Sequence, residues 1–200
     1  MPAFIYSSIP AYRFAMNLLY AGAYRRRSRM VFNVLKGNSV TECCFGDTLL
    51  AEQCTRKGWI WHGYDINKKF VERARNKGFD AHEADLFTDF PAEPSDECVM
   101  MGSLYHFGEN AGAVIMKMLE ISGRVIISEP IKNLSNANTF TGRLFAKFTA
   151  AGNGPETFRF TELTLSGLLG ELKKKHNFTF EIAGRIRKDI LFIITKTNEV

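Results

Sequence analysis

Residues 40–86 read VTECCFGDTLLAEQCTRKGWIWHGYDINKKFVERARNKGFDAHEADL, and this stretch decides the fold. Strand-like runs at Val40–Phe45, Ile60–Tyr64 and Asp80–Glu83, the first two rich in apolar residues, alternate with charged segments that have helical character. A regular alternation of strand and helix is typical of an α/β protein in which the strands lie parallel. The stretch therefore predicts a doubly wound sheet.

Each of these strands has an acidic residue at or near its end. The three are Glu42, Asp65 and Asp85, roughly twenty residues apart. The carboxyl ends of parallel strands meet at one edge of the sheet, where nucleotide-like ligands bind. Three carboxylates at that edge suit a ligand with a ribose, an exocyclic amine and a positive charge.

The rest of the chain extends the sheet. Four further strands are predicted, at Glu97–Met101, Arg124–Ser128, Phe178–Gly184 and Asp189–Thr195. The last two are joined by the short link Arg185–Lys188, which predicts a hairpin. We therefore expect a mostly parallel, seven-stranded sheet whose last strand is antiparallel.

The N-terminal segment has a composition of its own. Residues 1–36 carry six basic side chains and no acidic one, and aromatic residues are dense among them. Helical spacing of apolar residues predicts a helix over 10–35, which Gly22 divides in two. We predict an N-terminal helical cap at residues 1–36 and a main domain at residues 37–200. A lid over a site and a helix packed on the sheet edge both fit the cap.

Cysteine and histidine patterns bear on location and metal binding. The four cysteines form no C-x-x-C pair, which favours reduced thiols in a cytoplasmic protein. No apolar run reaches the roughly 18 residues of a membrane span. His62, His82 and His176 are scattered, so the sequence predicts no metal site. It predicts no oligomeric state.

Five motifs occur in order between residues 38 and 130. They are Val40–Thr48 with its Glu42-x-Cys44-x-Gly46 core, His62–Ile66, Glu83–Leu86, Cys98–Phe107 and Gly123–Pro130. Together they resemble the class I S-adenosylmethionine-dependent methyltransferases, which have a Rossmann-like fold. Cys44 and Thr48 depart from the family, which most often has glycine at both positions.

The resemblance implies a cofactor site for S-adenosylmethionine. Glu42 would help to hold the amino group, and the loop of Cys44 and Gly46 would wrap the methionine part. Asp65 would accept the ribose hydroxyls, since it lies nineteen residues after Gly46. The remaining cofactor residues that the motifs imply are Ile66, Asp85, Leu86, Gly102 and Ser103. Asp65 and Asp85 also fit as helix N-caps, and Glu42 as a residue that faces only water.

The resemblance further implies methyl transfer to a hydroxyl or amine of a small molecule. His106 follows the fourth strand and is the candidate base, because imidazole titrates near neutral pH. Tyr105, Arg143 and Arg159 are candidates for binding the acceptor, and the two arginines would suit an anionic group. Residues 1–30 and 131–160 would cover the acceptor.

Three other interpretations remain. The cluster Arg25–Arg29 could contact phosphates in an RNA or other nucleic-acid methyltransferase. The altered glycine loop also permits a protein that binds S-adenosylmethionine without catalysis. A dinucleotide oxidoreductase is disfavoured, because Cys44-x-Gly46-x-x-Leu49 lacks two of the three fingerprint glycines.

Overall fold

The computed structural model describes residues 22–131 and 158–197 of the 200-residue chain. The first half of the predicted N-terminal helix, most of the predicted cover at 131–160 and Arg143 lie outside these residues.

Seven strands form one sheet within the described residues. The strands are β1 (Ser39–Cys43), β2 (Ile60–Asp65), β3 (Asp80–Glu83), β4 (Ser95–Met101), β5 (Ser122–Pro130), β6 (Phe178–Ile186) and β7 (Asp189–Lys196). Their order is β3-β2-β1-β4-β5-β7-β6. Strands β1 to β5 pair in parallel, whereas β7 runs antiparallel to both of its neighbours. The predicted fold class is confirmed.

Five α-helices and one 3₁₀ helix are described. They are α1 (Tyr24–Val34), α2 (Leu49–Arg56), α3 (Lys68–Asn76), the 3₁₀ helix Leu104–Asn110, α4 (Ala111–Ile121) and α5 (Glu162–Lys173). Local sequence explains several of their ends. The Asn67 side chain accepts a hydrogen bond from the amide of Lys69 and so caps α3. Thr161 and Thr164 form a capping box at the start of α5.

The helices pack on the two faces of the sheet. One apolar cluster includes residues of α1, α2 and α3, and a second includes residues of α4 and α5. Helix α1 contributes Val31, which is fully buried, and Leu35 follows it into the same cluster. The second half of the predicted cap thus packs into the main core, and the boundary at residue 36 stays a prediction.

The connection from β3 to β4 contains no helix. Residues 84–94 form turns and irregular backbone. Each of the other connections between consecutive parallel strands contains a helix.

No helix within residues 22–131 and 158–197 is both long and apolar enough to cross a bilayer.

Candidate active site

The predicted site residues lie along two parts of one sheet edge. We call the carboxyl ends of β1, β2 and β3, with the turns that follow them, the first rim. We call the carboxyl ends of β4 and β5, with the start of β7, the second rim. Antiparallel pairing of Pro130 with Asp189 brings the start of β7 to this edge.

The loop after β1 is tightly curved. Cys44 and Gly46 both have positive φ, at 55° and 57°. The amide of Cys44 donates to the carbonyl of Tyr64 at 2.7 Å, which ties the loop to β2. A left-handed backbone costs a residue other than glycine about 1–2 kcal/mol, so Cys44 occupies this position under strain.

Thr48, the other departure from the family pattern, sits without such strain. Its φ is −84°, a conformation open to any residue. Its hydroxyl donates to Glu52 at 3.0 Å and accepts from the ammonium of Lys77 at 2.7 Å. The threonine therefore joins α2 to α3, and the backbone there needs no glycine.

Asp65 fastens the loop to the end of β2. One carboxylate oxygen accepts from the amide of Gly46 at 2.9 Å, and the other accepts from the amide of Asn67 at 2.8 Å. Burial raises the pKa of Asp65 to about 6, although these two bonds and the charge of His106 act in the opposite direction. Asn67, not Asp65, caps α3.

Glu42 is fully buried on β1 beside the loop. The indole nitrogen of Trp61 donates to its Oε2 at 2.9 Å. The ring reaches Glu42 across Gly63, where a Cβ would collide with it. Burial raises the pKa of Glu42 to about 8. Its Oε1 has no hydrogen-bond partner within the part of the chain that the structure describes.

The turn after β3 closes the first rim. The carboxylate of Asp85 accepts from the amide of Phe87 at 3.0 Å and so stabilises the turn. Leu86, a predicted cofactor residue, has its side chain in the core. The large exposed apolar side chains of this rim are Ile66, at 66% exposure, and Phe87, at 52%. Phe87 was missed in the sequence, although it directly follows a predicted site residue.

Glu129 organises the second rim from the end of β5. Its two carboxylate oxygens accept from the backbone amides of Leu104 and Tyr105, each at 3.1 Å. Glu129 is fully buried, and burial raises its pKa to about 8. The side chain fixes the start of the 3₁₀ helix that carries His106.

A buried ion pair joins α1 to the start of β7. Arg27 donates to Asp189 at 3.3 Å and to the carbonyl of Met101 at 3.4 Å. Ser128 also donates to Asp189, at 3.3 Å. Gly102, with φ of 67°, lies so close to Arg27 that a Cβ there would approach the guanidinium at 2.6 Å. The ion pair therefore borders the predicted site residue Gly102. Neighbouring Ser103 is partly exposed and directly precedes the 3₁₀ helix.

Two of the three predicted acceptor residues meet in the second rim. The guanidinium of Arg159 lies 3.4 Å from the ring centroid of Tyr105. Its charge lowers the pKa of Glu129, against the larger effect of burial. Burial lowers the pKa of the nearby Lys188, and the charges of Arg159 and Arg27 add to the effect.

His106, the predicted base, lies between the two rims. It is exposed, and its ring centroid is 4.0 Å from that of Tyr105 in the second rim. Its charge lowers the pKa of Asp65 in the first rim. His106 thus contacts the second rim and acts electrostatically on the first.

Sequence reasoning missed the buried charges of the second rim. Arg27 was grouped with exposed arginines, yet its spacing from Tyr24 and Val31 places all three on one helical face. Glu129 was quoted in a motif and given no role. Asp189 was assigned only to a strand.

The prediction that the histidines are scattered is wrong for two of them. Parallel pairing of β2 with β3 places His62 beside Asp80 and Tyr64 beside His82. Both imidazoles then contact the carboxylate of Asp80. The spacing along the chain conceals this group because its members lie on two strands.

Among the comparisons with known proteins, the one with solved structures identifies the fold. No protein-family model matches the sequence, and no curated protein is similar to it in sequence. Solved structures do match. Magnesium protoporphyrin IX methyltransferase from Synechocystis PCC 6803, with bound SAH, is 18% identical; the match covers 89% of this chain and 85% of that chain, with a TM-score of 0.67. The chain has the Rossmann-like methyltransferase fold.

Two further structures support this conclusion. A SAM-dependent methyltransferase from Thermotoga maritima is 15% identical, and the match covers 96% of this chain and 99% of that chain with a TM-score of 0.68. A plantazolicin methyltransferase in complex with a pentazolic desmethylPZN analogue and SAH is 10% identical. That match covers 97% of this chain and 93% of that chain, with a TM-score of 0.71.

Proposed function

We propose that this protein is an S-adenosylmethionine-dependent methyltransferase. Its acceptor would be a hydroxyl or amine of a small molecule that carries an anionic group. The observation that carries the proposal is the position of Asp65 at the end of β2. Its carboxylate accepts a hydrogen bond from the amide of Gly46 in the strained loop after β1. Asp65 also lies nineteen residues after Gly46, the spacing expected of a carboxylate that binds ribose. The solved methyltransferases with this fold, two of them with SAH, support it.

The first rim fits the cofactor group by group. The buried Oε1 of Glu42, without a partner in the described part of the chain, suits an amino group reached directly or through water. The curved backbone at Cys44 and Gly46 would let the methionine part of the cofactor approach the loop closely. Ile66 and Phe87 expose apolar surface that suits a flat base.

Other predicted residues would complete the cofactor site. Asp65 would accept the ribose hydroxyls with the lone pairs that its two amide bonds leave unused. Asp85 would accept from the adenine amine, and the amide of Leu86 would face the ring. Gly102 and Ser103, at the end of β4, would border the reacting group.

The cofactor would supply a methyl group activated by a sulfonium, so the protein's own task is chiefly alignment and exclusion of water. His106 would accept the proton from the acceptor hydroxyl or amine at an imidazole nitrogen. Glu129 would position His106 indirectly, because it anchors the first two amides of the 3₁₀ helix.

The charges of the second rim favour an anionic acceptor. Among the described residues, three cationic side chains lie there, Arg27, Arg159 and Lys188, together with the carboxyl groups of Glu129 and Asp189. Burial raises the pKa of Glu129 to about 8, which reduces its negative charge at neutral pH, and Asp189 is paired with Arg27. Tyr105 and Arg159 would contact the acceptor, and Arg143 remains a candidate from outside the described residues. Residues 1–30 and 131–160 would cover it.

A nucleic-acid acceptor is the alternative with a specific feature to test. Arg25, Arg26 and Arg29 are exposed on α1, whereas Arg27 belongs to the buried ion pair. Strong salt dependence of binding to bulk RNA would favour this alternative. A cytoplasmic location is part of our proposal, and the four free cysteines support it.

The decisive experiment is a calorimetric titration with S-adenosylmethionine, with NADH in parallel. The Asp65→Ala variant should lose about 1.5–3 kcal/mol of binding free energy, because a charge-assisted hydrogen bond to the ribose is removed. Asp96→Ala is the matched control. Asp96 also accepts two backbone amides, from Asn38 and Ser39, at the opposite edge of the sheet.

Three outcomes would contradict the proposal. The wild-type protein could fail to bind S-adenosylmethionine, or it could bind NADH in preference. A folded Asp65→Ala variant could also retain wild-type affinity. Binding without methyl transfer to any acceptor would instead favour the non-catalytic protein.

A further inference from the structure

Within residues 22–131 and 158–197, the connection after β3 supplies no helix to cover one face of the β2–β3 pair. Since residues 84–94 contain no helix, the side chains on that face keep access to solvent. His62 is 29% exposed, His82 is 44% exposed and Asp80 is 52% exposed. These three residues have no role in the proposed methyl transfer.

Their donor atoms converge. Nδ1 of His62 lies 2.5 Å from one carboxylate oxygen of Asp80, and Nε2 of His82 lies 2.8 Å from the other. One ligand atom from each residue lies within 4.8 Å of those of the other two. Ligands bound to one zinc ion at about 2.0–2.2 Å are roughly 3.3 Å apart, so small side-chain shifts would bring all three onto an ion.

The sheet holds these groups in place. His62 pairs with Asp80 across β2 and β3, and the next residue pair on this face is Tyr64 with His82. The rings of Tyr64 and His82 stack at 5.0 Å, with an interplanar angle of 20°. Pairing of the strands therefore already restricts these side chains, which lowers the conformational entropy that metal binding must remove.

The donor set favours one class of ion. Two imidazole nitrogens and one carboxylate oxygen suit zinc and its first-row neighbours, whereas calcium and magnesium prefer oxygen ligands. In such a site the two imidazoles bind as neutral rings and the carboxyl group as a carboxylate.

We propose that His62, Asp80 and His82 form a binding site for a divalent transition-metal ion such as Zn²⁺, with water in the fourth position. The ion clamps the edge strand β3, which supplies two of the ligands, to β2, which supplies the third. Strand β3 has only four residues and leads directly to the turn of Asp85 and Phe87. The clamp therefore stabilises the end of the sheet next to the first rim.

The test is a zinc titration of protein without an affinity tag, after chelation and dialysis. Wild-type protein should bind one equivalent of Zn²⁺. His82→Ala and Asp80→Asn should each weaken binding by more than about 100-fold, because even indirect supports of a metal site contribute 10–100-fold. The matched control is His176→Ala, which removes an exposed histidine outside the cluster and should bind as the wild type does.

Thermal unfolding and cobalt spectroscopy provide independent measurements. At about one hundred times its Kd, Zn²⁺ should raise the wild-type Tm by roughly 5–10 °C and leave that of His82→Ala unchanged. The Co²⁺ complex should show no thiolate charge-transfer band, which would separate this site from binding at cysteines.

The proposal is overturned if the wild type binds no zinc, or if His82→Ala and Asp80→Asn bind it as tightly as the wild type. A thiolate band with Co²⁺ would also overturn it. S-Adenosylmethionine affinity, measured on the same variants, keeps the two proposals separate, since zinc binding can fail while cofactor binding persists.

Discussion

The two rims of the sheet edge are built in different ways. In the first rim, Asp85 bonds an amide two residues away, and Asp65 bonds amides two and nineteen residues away. In the second rim, Arg27 and Asp189 are 162 residues apart. The first rim is thus made by consecutive strand–turn units, whereas the second also needs α1 and β7, from the two ends of the described residues, to come together.

This difference determines whether each rim can be recognised in the amino-acid sequence. A rim made of local units leaves motifs at regular intervals, so its acids were visible in the sequence. A rim made of distant residues leaves no interval to recognise. The second rim also relies on a buried ion pair, which requires both partners. The four predictions below test the contrast, beginning with the residue between the rims.

The largest effect should follow loss of His106, which contacts one rim and acts electrostatically on the other. His106→Ala should lower turnover by about 10²–10⁴-fold, the range for loss of a general base, with little change in cofactor affinity. Transfer of a labelled methyl group to the acceptor measures the rate. His176→Ala is the control. Near-wild-type turnover in His106→Ala would show that His106 is not the base and that alignment of the acceptor is sufficient for transfer.

Arg27→Ala should destabilise the fold by about 3–5 kcal/mol, because it leaves Asp189 buried without its partner cation. Chemical denaturation measures the free energy of unfolding. Arg29→Ala removes an exposed arginine from the same helix and should have an effect below about 0.5 kcal/mol. Combining Arg27→Met with Asp189→Asn should recover much of the loss. A cost below about 1 kcal/mol for Arg27→Ala would show that the second rim does not depend on the pair.

The pH dependence of stability compares one buried carboxyl from each rim. Glu42 and Glu129 both have folded pKa values of about 8, above the ordinary 4.5. The folded state therefore holds these protons more tightly than the unfolded state does. Their favourable contribution is complete below about pH 4.5 and is lost as the pH rises to about 8.

Glu42→Gln and Glu129→Gln should each flatten this decline, by a few kcal/mol between these limits, since one pKa unit corresponds to about 1.4 kcal/mol. Denaturation at a series of pH values measures the change, with exposed Glu120→Gln as the control. An unchanged slope in both variants would mean that neither carboxyl is protonated in the fold. A flatter pH dependence of stability in only one variant would show that the buried carboxyl of that rim is protonated in the fold and that the other is not.

The smallest effect concerns the strained loop of the first rim. Cys44 has φ of 55°, so Cys44→Gly should be more stable than Cys44→Ala by roughly 1 kcal/mol. The alanine variant is the matched control because both remove the thiol. Equal stability of the two in chemical denaturation would argue against strain at this position.

Particular residues show where sequence reasoning stopped. Glu42 was correctly placed near the end of β1, but its bond to Trp61 depends on Gly63 letting the indole cross. Leu86 is predicted to act through its backbone amide, and its side chain is buried, whereas neighbouring Phe87 exposes its ring. A motif gives a position along the strand, and packing decides which neighbouring side chain reaches solvent.

The sequence by itself determined the order of strands and helices along the chain and the positions of the acidic residues of the first rim. Both follow from hydrophobic period and from contacts between residues close along the chain. Only the tertiary structure decided the ion pair of Arg27 with Asp189 and the group of His62, Asp80 and His82. The first depends on which helical face is buried, and the second on the register of two parallel strands. Those facts are set by packing and pairing across the sheet, which spacing along one chain does not encode.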